Sequence, residues 1–364
     1  MMPLVIGLGA VLILAIFYML FRVGRLVDVA KGKREDEVEE STNNLQAYLL
    51  LLFMVLSMVA FYWYSFSHFD EYTLPESASA HGRVTDGLFW TTMWITLFSF
   101  SIIFVVMFWF TFKYRYQKQR KAVFFADNHK LEIVWTVIPA IVLALLIFSG
   151  LRAWSDITSP AGEKAEVIEV IAQQFAWTAR YPGVKDNALG QVNYKMIDAS
   201  NEFGLNLADA NTHDDFKSLE LHLPPDKEIL LKIRAKDVLH SVFLPHFRVK
   251  MDAVPGLQTH FKFVAEKSTA EMRSITGNPN FNYEMACTEI CGKGHFSMRF
   301  PVFVHESIED YEKWKSSQET WLKQNPEYMK YVPANLKEAA MLKAGLKIEE
   351  VPVSALANPT VTLN

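Results

Sequence analysis

Cys287-Thr288-Glu289-Ile290-Cys291-Gly292-Lys293-Gly294-His295-Phe296-Ser297-Met298 holds both cysteines of a 364-residue chain. A thiolate pair followed by a histidine and a methionine, at C-x3-C-x3-H-x2-M spacing, is a soft-ligand cluster suited to copper. Cysteine and methionine sulfur select soft metals, and imidazole suits copper as well as zinc.

The run lies inside a strand-rich region, residues 163–305. Short stretches of Val, Ile, Phe and Tyr alternate there with turn signals. Examples are Glu166-Val167-Ile168-Glu169-Val170-Ile171, Leu219-Glu220-Leu221-His222-Leu223, Ile229-Leu230-Leu231-Lys232-Ile233 and Phe300-Pro301-Val302-Phe303-Val304. Pro182-Gly183, Pro224-Pro225-Asp226, Pro255-Gly256 and Gly277-Asn278-Pro279 break them. Many short strands so punctuated predict a β-sandwich or Greek-key barrel. From Ser307 onward the pattern is helical and polar, with Ser307 as N-cap and Glu309-Asp310 in the first turn. The last stretch, 351–364, shows no periodicity and is expected to be loop or tail.

Ahead of this domain the chain is far more apolar. Residues 3–21, 45–66, about 88–112 and 133–151 form four uncharged runs. Each is close to the roughly 20 residues a helix needs to cross a bilayer core. The leading Met1-Met2-Pro3 carries no Lys or Arg, which is wrong for a cleaved leader, so the first run is expected to be a retained helix. Basic residues gather at Arg22, Arg25, Lys31, Lys33 and Arg34, and again at Lys113, Arg115, Lys118, Arg120 and Lys121. The positive-inside rule puts both loops in the cytoplasm, giving four spans with both termini outside. The expected organisation is therefore an extra N-terminal helix and loop (1–42), membrane helices (43–155), an outer domain (160–306) and a helical C-terminal extension (307–364). A net charge of −4 leaves no nucleic-acid footprint.

The cysteine pair alone leaves alternatives open. A disulfide is permitted outside the cytoplasm, and two cysteines with a histidine also serve zinc. Both leave Met298 and any second histidine unexplained. A second imidazole candidate, His240, lies upstream in Asp237-Val238-Leu239-His240-Ser241. Two thiolates, two imidazoles and a thioether exceed by one thiolate what a mononuclear blue-copper site needs. Two sulfurs on one loop can bridge two metals.

With those residues assembled, the chain resembles subunit II of haem–copper cytochrome c oxidases. The resemblance rests on C-T-E-I-C-G-K-G-H-F-S-M (287–298) and D-V-L-H-S (237–241), supported by K-M-D-A-V-P-G (250–256) and E-I-V-W-T-V-I-P (132–139). It covers roughly residues 45–320 and implies a cupredoxin-like outer domain with a binuclear copper A centre. By motif position Cys287 and Cys291 are the bridging thiolates, and His240 and His295 the terminal imidazoles. Met298 is a weak axial sulfur and Glu289 a ligand through its carbonyl. The Glu289 side chain is expected to face the catalytic subunit and contact a magnesium ion shared with it, a hard ligand for a hard ion. Glu132 is expected to open a proton-uptake route, against the plainer reading of an acidic residue marking a helix start.

One departure bears on how electrons arrive. The family shows Q-W-x-W, with the first tryptophan receiving electrons; here the run is Gln174-Phe175-Ala176-Trp177-Thr178-Ala179-Arg180-Tyr181. Phe175 stands in that place and lacks the indole N–H, so Trp177 and Tyr181 join it as candidates. A membrane-held cytochrome c, in a supercomplex with a quinol-oxidising complex, is one hypothesis for the donor. The other expected partners are subunit I, with haem and copper B, and subunit III, in a bacterial inner membrane. His213, His222, His246, His260 and His305 read as hydrogen-bonding or surface residues. No C-x-x-C-H is present, so no covalent haem domain is fused. Among rivals, a quinol oxidase subunit lacks the copper ligands, and a nitrous-oxide reductase needs a histidine-rich second cluster. A membrane-anchored copper-insertion protein needs a βαβ pattern.

Overall fold

A computed structural model describes residues 2–32, 39–184 and 187–356, with the side chains of 2–6, 8, 10 and 353 not described. Lys33 and Arg34 of the first basic cluster, and 357–364 of the expected tail, lie outside the described residues.

The apolar runs are helices: α1 (Met2–Ala30), α2 (Glu40–Ser67), the four-residue α3 (Phe69–Tyr72), α4 (Ala80–Lys113) and α5 (His129–Thr158). Among the described residues α2, α4 and α5 are long and apolar enough to cross a membrane, at 28, 34 and 30 residues. At about 1.5 Å per residue each exceeds a hydrocarbon core of about 30 Å. Four spans were expected and three meet the criterion. The first run does form α1, but several of its leading side chains are not described, and its later turns carry Arg22, Arg25 and Asp28.

The chain divides into two compact units, residues 1–69 with 95–129, and residues 70–94 with 130–364. In the first, α2 packs on the later part of α4. Tyr48 meets Phe112 at 5.2 Å and Phe61 meets Phe100 at 5.5 Å between ring centres. Arg115 Nε donates to Asn44 Oδ1 at 2.7 Å, and Asn43 Nδ2 to the Tyr116 carbonyl at 2.8 Å. Polar groups at these helix ends thus bond one another.

The second unit holds the β-domain, whose strands are β1 (Glu166–Gln173), β2 (Ala176–Tyr181), β3 (Phe216–Ser218), β4 (Leu221–Leu223), β5 (Glu228–Ala235), β6 (His240–Leu244), β7 (Val249–Ala253), β8 (Thr259–Val264), β9 (Tyr283–Cys287) and β10 (Arg299–Val304). They form two five-stranded sheets, ordered β3-β2-β1-β5-β8 and β4-β10-β9-β6-β7. The β1–β5 and β4–β10 pairs are parallel and the rest antiparallel, which requires crossover connections. Alternation along β5 shows the cause. Ile229, Leu231, Ile233 and Ala235 are buried while their neighbours are less so. These residues meet Val242, Leu244, Met285 and Val302 of the facing sheet in one core.

The strand-rich region is not purely β. Helix α6 (Thr269–Thr276) sits between β8 and β9, with Ser268 accepting from the Glu271 N–H at 3.0 Å and Gly277 closing it at φ +64. A cap serine and a terminal glycine stop so short a helix before periodicity becomes visible.

The C-terminal extension is a packed module. Helices α7 (Ile308–Ser316), α8 (Trp321–Gln324), α9 (Lys337–Ala344) and α10 (Val353–Leu356) follow β10. Ser307 caps α7 as expected, accepting from Asp310 N–H at 3.1 Å. A second hydrophobic cluster joins Trp321, Leu322, Met329, Val332, Ala340 and Val351 of the extension to Ile171 of β1. It also takes in Phe203, Leu205 and Leu207 of the long β2–β3 connection. Burying each such side chain contributes roughly 2 kcal/mol of transfer free energy. Residues 351–356, expected to be loop, end in α10 against this cluster; one turn is too short to show periodicity.

Under α7 the extension is also held by charge. Glu166, fully buried at the start of β1, meets Lys315 at 2.8 Å and Lys227 at 2.7 Å, and accepts from Tyr311 Oη at 3.0 Å. Burial alone would raise the Glu166 carboxyl, but Lys315 and Lys227 hold it below the usual range.

Candidate metal centre

Two strand ends and one loop bring the donors together. His240 opens β6 and Cys287 closes β9, which pair through Val242 and Cys287. The loop leaves Cys287, and its base is closed by Cys287 N–H donating to the Met298 carbonyl at 3.1 Å. A single 3-10 turn, His295–Ser297, folds its far side back. Local hydrogen bonds therefore set the shape of the loop, with Thr288 N–H to Ser241 O at 3.2 Å tying it to β6.

Inside, Cys287 Sγ lies 3.8 Å from His240 Nδ1, 3.9 Å from Cys291 Sγ and 3.2 Å from the Glu289 carbonyl oxygen. Cys291 Sγ lies 3.6 Å from His295 Nδ1 and 3.8 Å from Met298 Sδ. Both cysteines are free and buried. Their sulfurs stand far beyond the about 2.05 Å of a disulfide. At metal–sulfur bonds of about 2.3 Å, two donors on one tetrahedral ion sit about 3.7 Å apart, and these separations cluster there. The ligand atoms of His240, Cys287 and Cys291 all lie within 4.8 Å of one another. Burial and the neighbouring Cys287 push the Cys291 thiol up to about 11. A cation is what stabilises two thiolates in such a place. Zinc would use the cysteines and histidines but has little use for the thioether, whereas copper accepts all three kinds of donor.

Residues around the donors fix their aim. Asp237 Oδ1 accepts from His240 Nε2 at 2.9 Å, which leaves Nδ1 bare and facing Cys287. A carboxylate behind a ligating imidazole sets its tautomer and orientation. Asp237 is itself held by the N–H groups of Val238 and Gln174, each at 2.7 Å. Gln174 Nε2 then donates to the Cys291 carbonyl at 2.6 Å. Neither Asp237 nor Gln174 was singled out from sequence. Asp237 offered a signal, an acid three residues before a candidate ligand on the same short segment.

The Phe175 ring lies on the loop glycines. A Cβ at Gly294 would come 2.5 Å from Phe175 Cγ, and one at Gly292, where φ is +134, would come 2.9 Å from Cζ. Glycine is required at both by that close approach. Phe175 is 39% exposed; Ile290 and Phe296, in the loop, are 85% and 81% exposed. Trp177 is buried, its Nε1 donating to the Met298 carbonyl at 3.4 Å and its ring 6.0 Å from that of His240. Tyr181 is buried farther along β2, its hydroxyl donating to the His222 carbonyl at 3.0 Å. The Glu289 side chain is exposed. Glu132 stands in the first turn of α5, 26 residues ahead of that helix's end at Thr158, or about 39 Å. Among the remaining histidines, His213 Nε2 donates to Leu207 O at 2.9 Å, His260 Nε2 to Thr158 O at 3.1 Å, and His246 packs edge-on against Phe281 and Tyr283.

Comparison with known proteins agrees with this arrangement. Residues 67–152 match the cytochrome c oxidase subunit II transmembrane domain, and residues 166–307 match its periplasmic domain. The first match begins where α2 ends, so α1 and α2 both precede it. The chain is 32% identical over 276 residues to an alternative cytochrome c oxidase subunit 2 of Bradyrhizobium diazoefficiens, covering 75% of this chain and 92% of that one. It is 28% identical over 293 residues to cytochrome c oxidase subunit 2 of Thermostichus vulcanus, covering 72% and 82%. Among solved structures, the periplasmic domain of a Bradyrhizobium japonicum cytochrome oxidase subunit II aligns at 22% identity and a TM-score of 0.29, covering 43% of this chain and 94% of that one. The two domain matches together cover more than half of the chain, and the Bradyrhizobium relative is covered over most of its length: the chain belongs to the subunit II family of cytochrome c oxidase, as a subunit of that enzyme.

Proposed function

We propose that this chain is the electron-input subunit of a haem–copper terminal oxidase, taking electrons singly from a cytochrome c and passing them to haem in subunit I, where oxygen is reduced to water and protons are moved. The observation that carries this is the gathering of five soft or imidazole side chains around the two cysteine sulfurs, four of the five buried. Cys287 and Cys291 would bridge two coppers, His240 and His295 would cap them, and Met298 and the Glu289 carbonyl would complete the set. When bound, the copper pair supplies a one-electron store whose shape changes little between its two oxidation states. The protein's part is to hold the donors still. Asp237 aims His240 and Gln174 ties the Cys291 carbonyl.

The exposed apolar rim of Phe175, Ile290 and Phe296 suits a donor that docks by hydrophobic contact. Phe175 is the electron-receiving candidate that a donor can touch, with Trp177 behind it. The Glu289 carboxylate is free to reach a magnesium ion shared with subunit I. Glu132 would admit protons at the cytoplasmic end of α5. Subunits I and III, a bacterial inner membrane, and α1 as a fourth span complete the reading.

Electron paramagnetic resonance of the oxidised, copper-loaded enzyme tests it. Hyperfine structure from one electron shared equally by two coppers is expected. A single isolated copper, or no copper with an intact cysteine disulfide, would sink the proposal.

A further inference from the structure

Away from the copper loop, two histidines that sequence gives no reason to pair are brought together. His222, at the middle of β4, leaves the sheet on the face opposite Leu221 and Leu223. His305 follows β10, its N–H donating to the Leu223 carbonyl at 3.1 Å. The parallel pairing of β4 with β10 sets the two imidazoles side by side, His222 Nδ1 at 3.0 Å from His305 Nε2. Trp314 of α7 stacks on the His222 ring at 4.0 Å and 14°, and Phe303 stacks on it at 5.1 Å. The remaining edge is fixed by Glu220, whose Oε2 lies 3.2 Å from His222 Nε2. That hydrogen bond keeps the proton on Nε2 and leaves the Nδ1 lone pair aimed at His305.

We propose that His222 and His305 form a second metal site, for a borderline divalent ion of the zinc, cobalt or nickel class. At metal–nitrogen bonds of about 2.1 Å, two nitrogens 3.0 Å apart subtend about 90° at a shared ion; opening by about 0.4 Å gives the tetrahedral angle, with both rings turned so that their lone pairs meet at the ion rather than along the N–N line. The carboxylate–histidine–metal arrangement found behind His240 is repeated here by Glu220. A cleft of about 530 Å³, lined by His222, His305, Glu306, Asp310, Arg273 and Lys313, opens onto the pair and gives room for water ligands. Arg273, which also lines the cleft, is held by bonds to the Phe281 carbonyl and Asn282. Without metal, His305 Nε2–H donates to His222 Nδ1. With metal, that proton moves to His305 Nδ1 and the net charge of the pair is unchanged. The site differs from the copper centre in having no sulfur, which disfavours a soft ion. Because Trp314 covers His222, an ion here would clamp α7 to the sheet.

The test is Zn2+ titration by calorimetry on the intact copper-loaded oxidase, in wild type, His305→Ala and Glu220→Gln. The expected result is one Zn2+ fewer per oxidase in His305→Ala, and binding at that site weakened about tenfold in Glu220→Gln. Glu220 has a half-exposed side chain and lies outside the copper ligands, so that variant keeps the test valid if His305→Ala fails to assemble. Equal stoichiometry and affinity in wild type and every variant that assembles would overturn the proposal, leaving a plain imidazole–imidazole hydrogen bond.

Discussion

Between Cys287 and Met298 a short loop and one upstream strand gather five soft or imidazole donors, four of them buried, with no cationic side chain among their partners in the described residues. Around Glu166, by contrast, a buried carboxylate is met by Lys315, Lys227 and Tyr311, and its charge is fully answered. Both clusters are buried and polar, yet only the second is complete without an added partner. A buried group costs free energy until something satisfies it. Where the chain supplies the countercharge, the cluster is structural; a set of soft donors is the chemistry that suits a metal ion.

Removing one partner from each cluster separates the two kinds. Cys291→Ser should abolish the paired-copper signal and cytochrome c oxidation together while the β-domain stays folded, checked by paramagnetic resonance and circular dichroism. A surviving paired signal would end the dicopper assignment. Lys315→Met should leave copper binding alone and destabilise the outer domain by up to about 3 kcal/mol, since one of two countercharges to a buried carboxylate is lost. Thermal unfolding reads this, and an unchanged melt would mean that the cluster is not structural. Acid probes the same point. The Glu166 carboxyl is depressed in the folded state, so its contribution is full above its unfolded value of about 4.3 and is lost as pH falls through its lower folded value. Protease accessibility of the extension should rise over that acid window.

Finer changes test how the copper loop is supported. Asp237→Asn should weaken copper affinity by about 10–100-fold with the donor set intact, measured by chelator competition. Phe175→Ala should slow electron uptake by about tenfold or less, equivalent to about 1.4 kcal/mol, with an unaltered copper spectrum. If it changed the spectrum instead, the ring would be shaping the ligands rather than meeting the donor.

The same contrast accounts for what the sequence revealed. The proposed copper ligands lie within twelve residues plus one upstream histidine, so spacing marked a soft-metal cluster and the family resemblance assigned the set, and the apolar runs announced α2, α4 and α5 by length. The N-cap at Ser307 was equally local. The Glu166 cluster joins residues up to 149 apart, and His222 and His305 are 83 apart, so no pattern along the chain predicts either meeting. Asp237 stood in a segment already marked for His240 and was passed over because its bond to the ring is a matter of orientation. The extension looked like a polar tail because its apolar residues are sparse, and they bury only once the β2–β3 connection folds over them.

That second cluster bears on where the protein can be cut. The family's outer domain ends at residue 307 here, a natural terminus for a soluble fragment. A chain stopped there would lay bare Ile171, Phe203, Leu205 and Leu207 and leave Glu166 without Lys315 or Tyr311. Such a fragment should aggregate from the face of β1 that the extension covers. One continued through Leu356 should stay in solution, which makes residues 308–356 an internal solubility device for the outer domain.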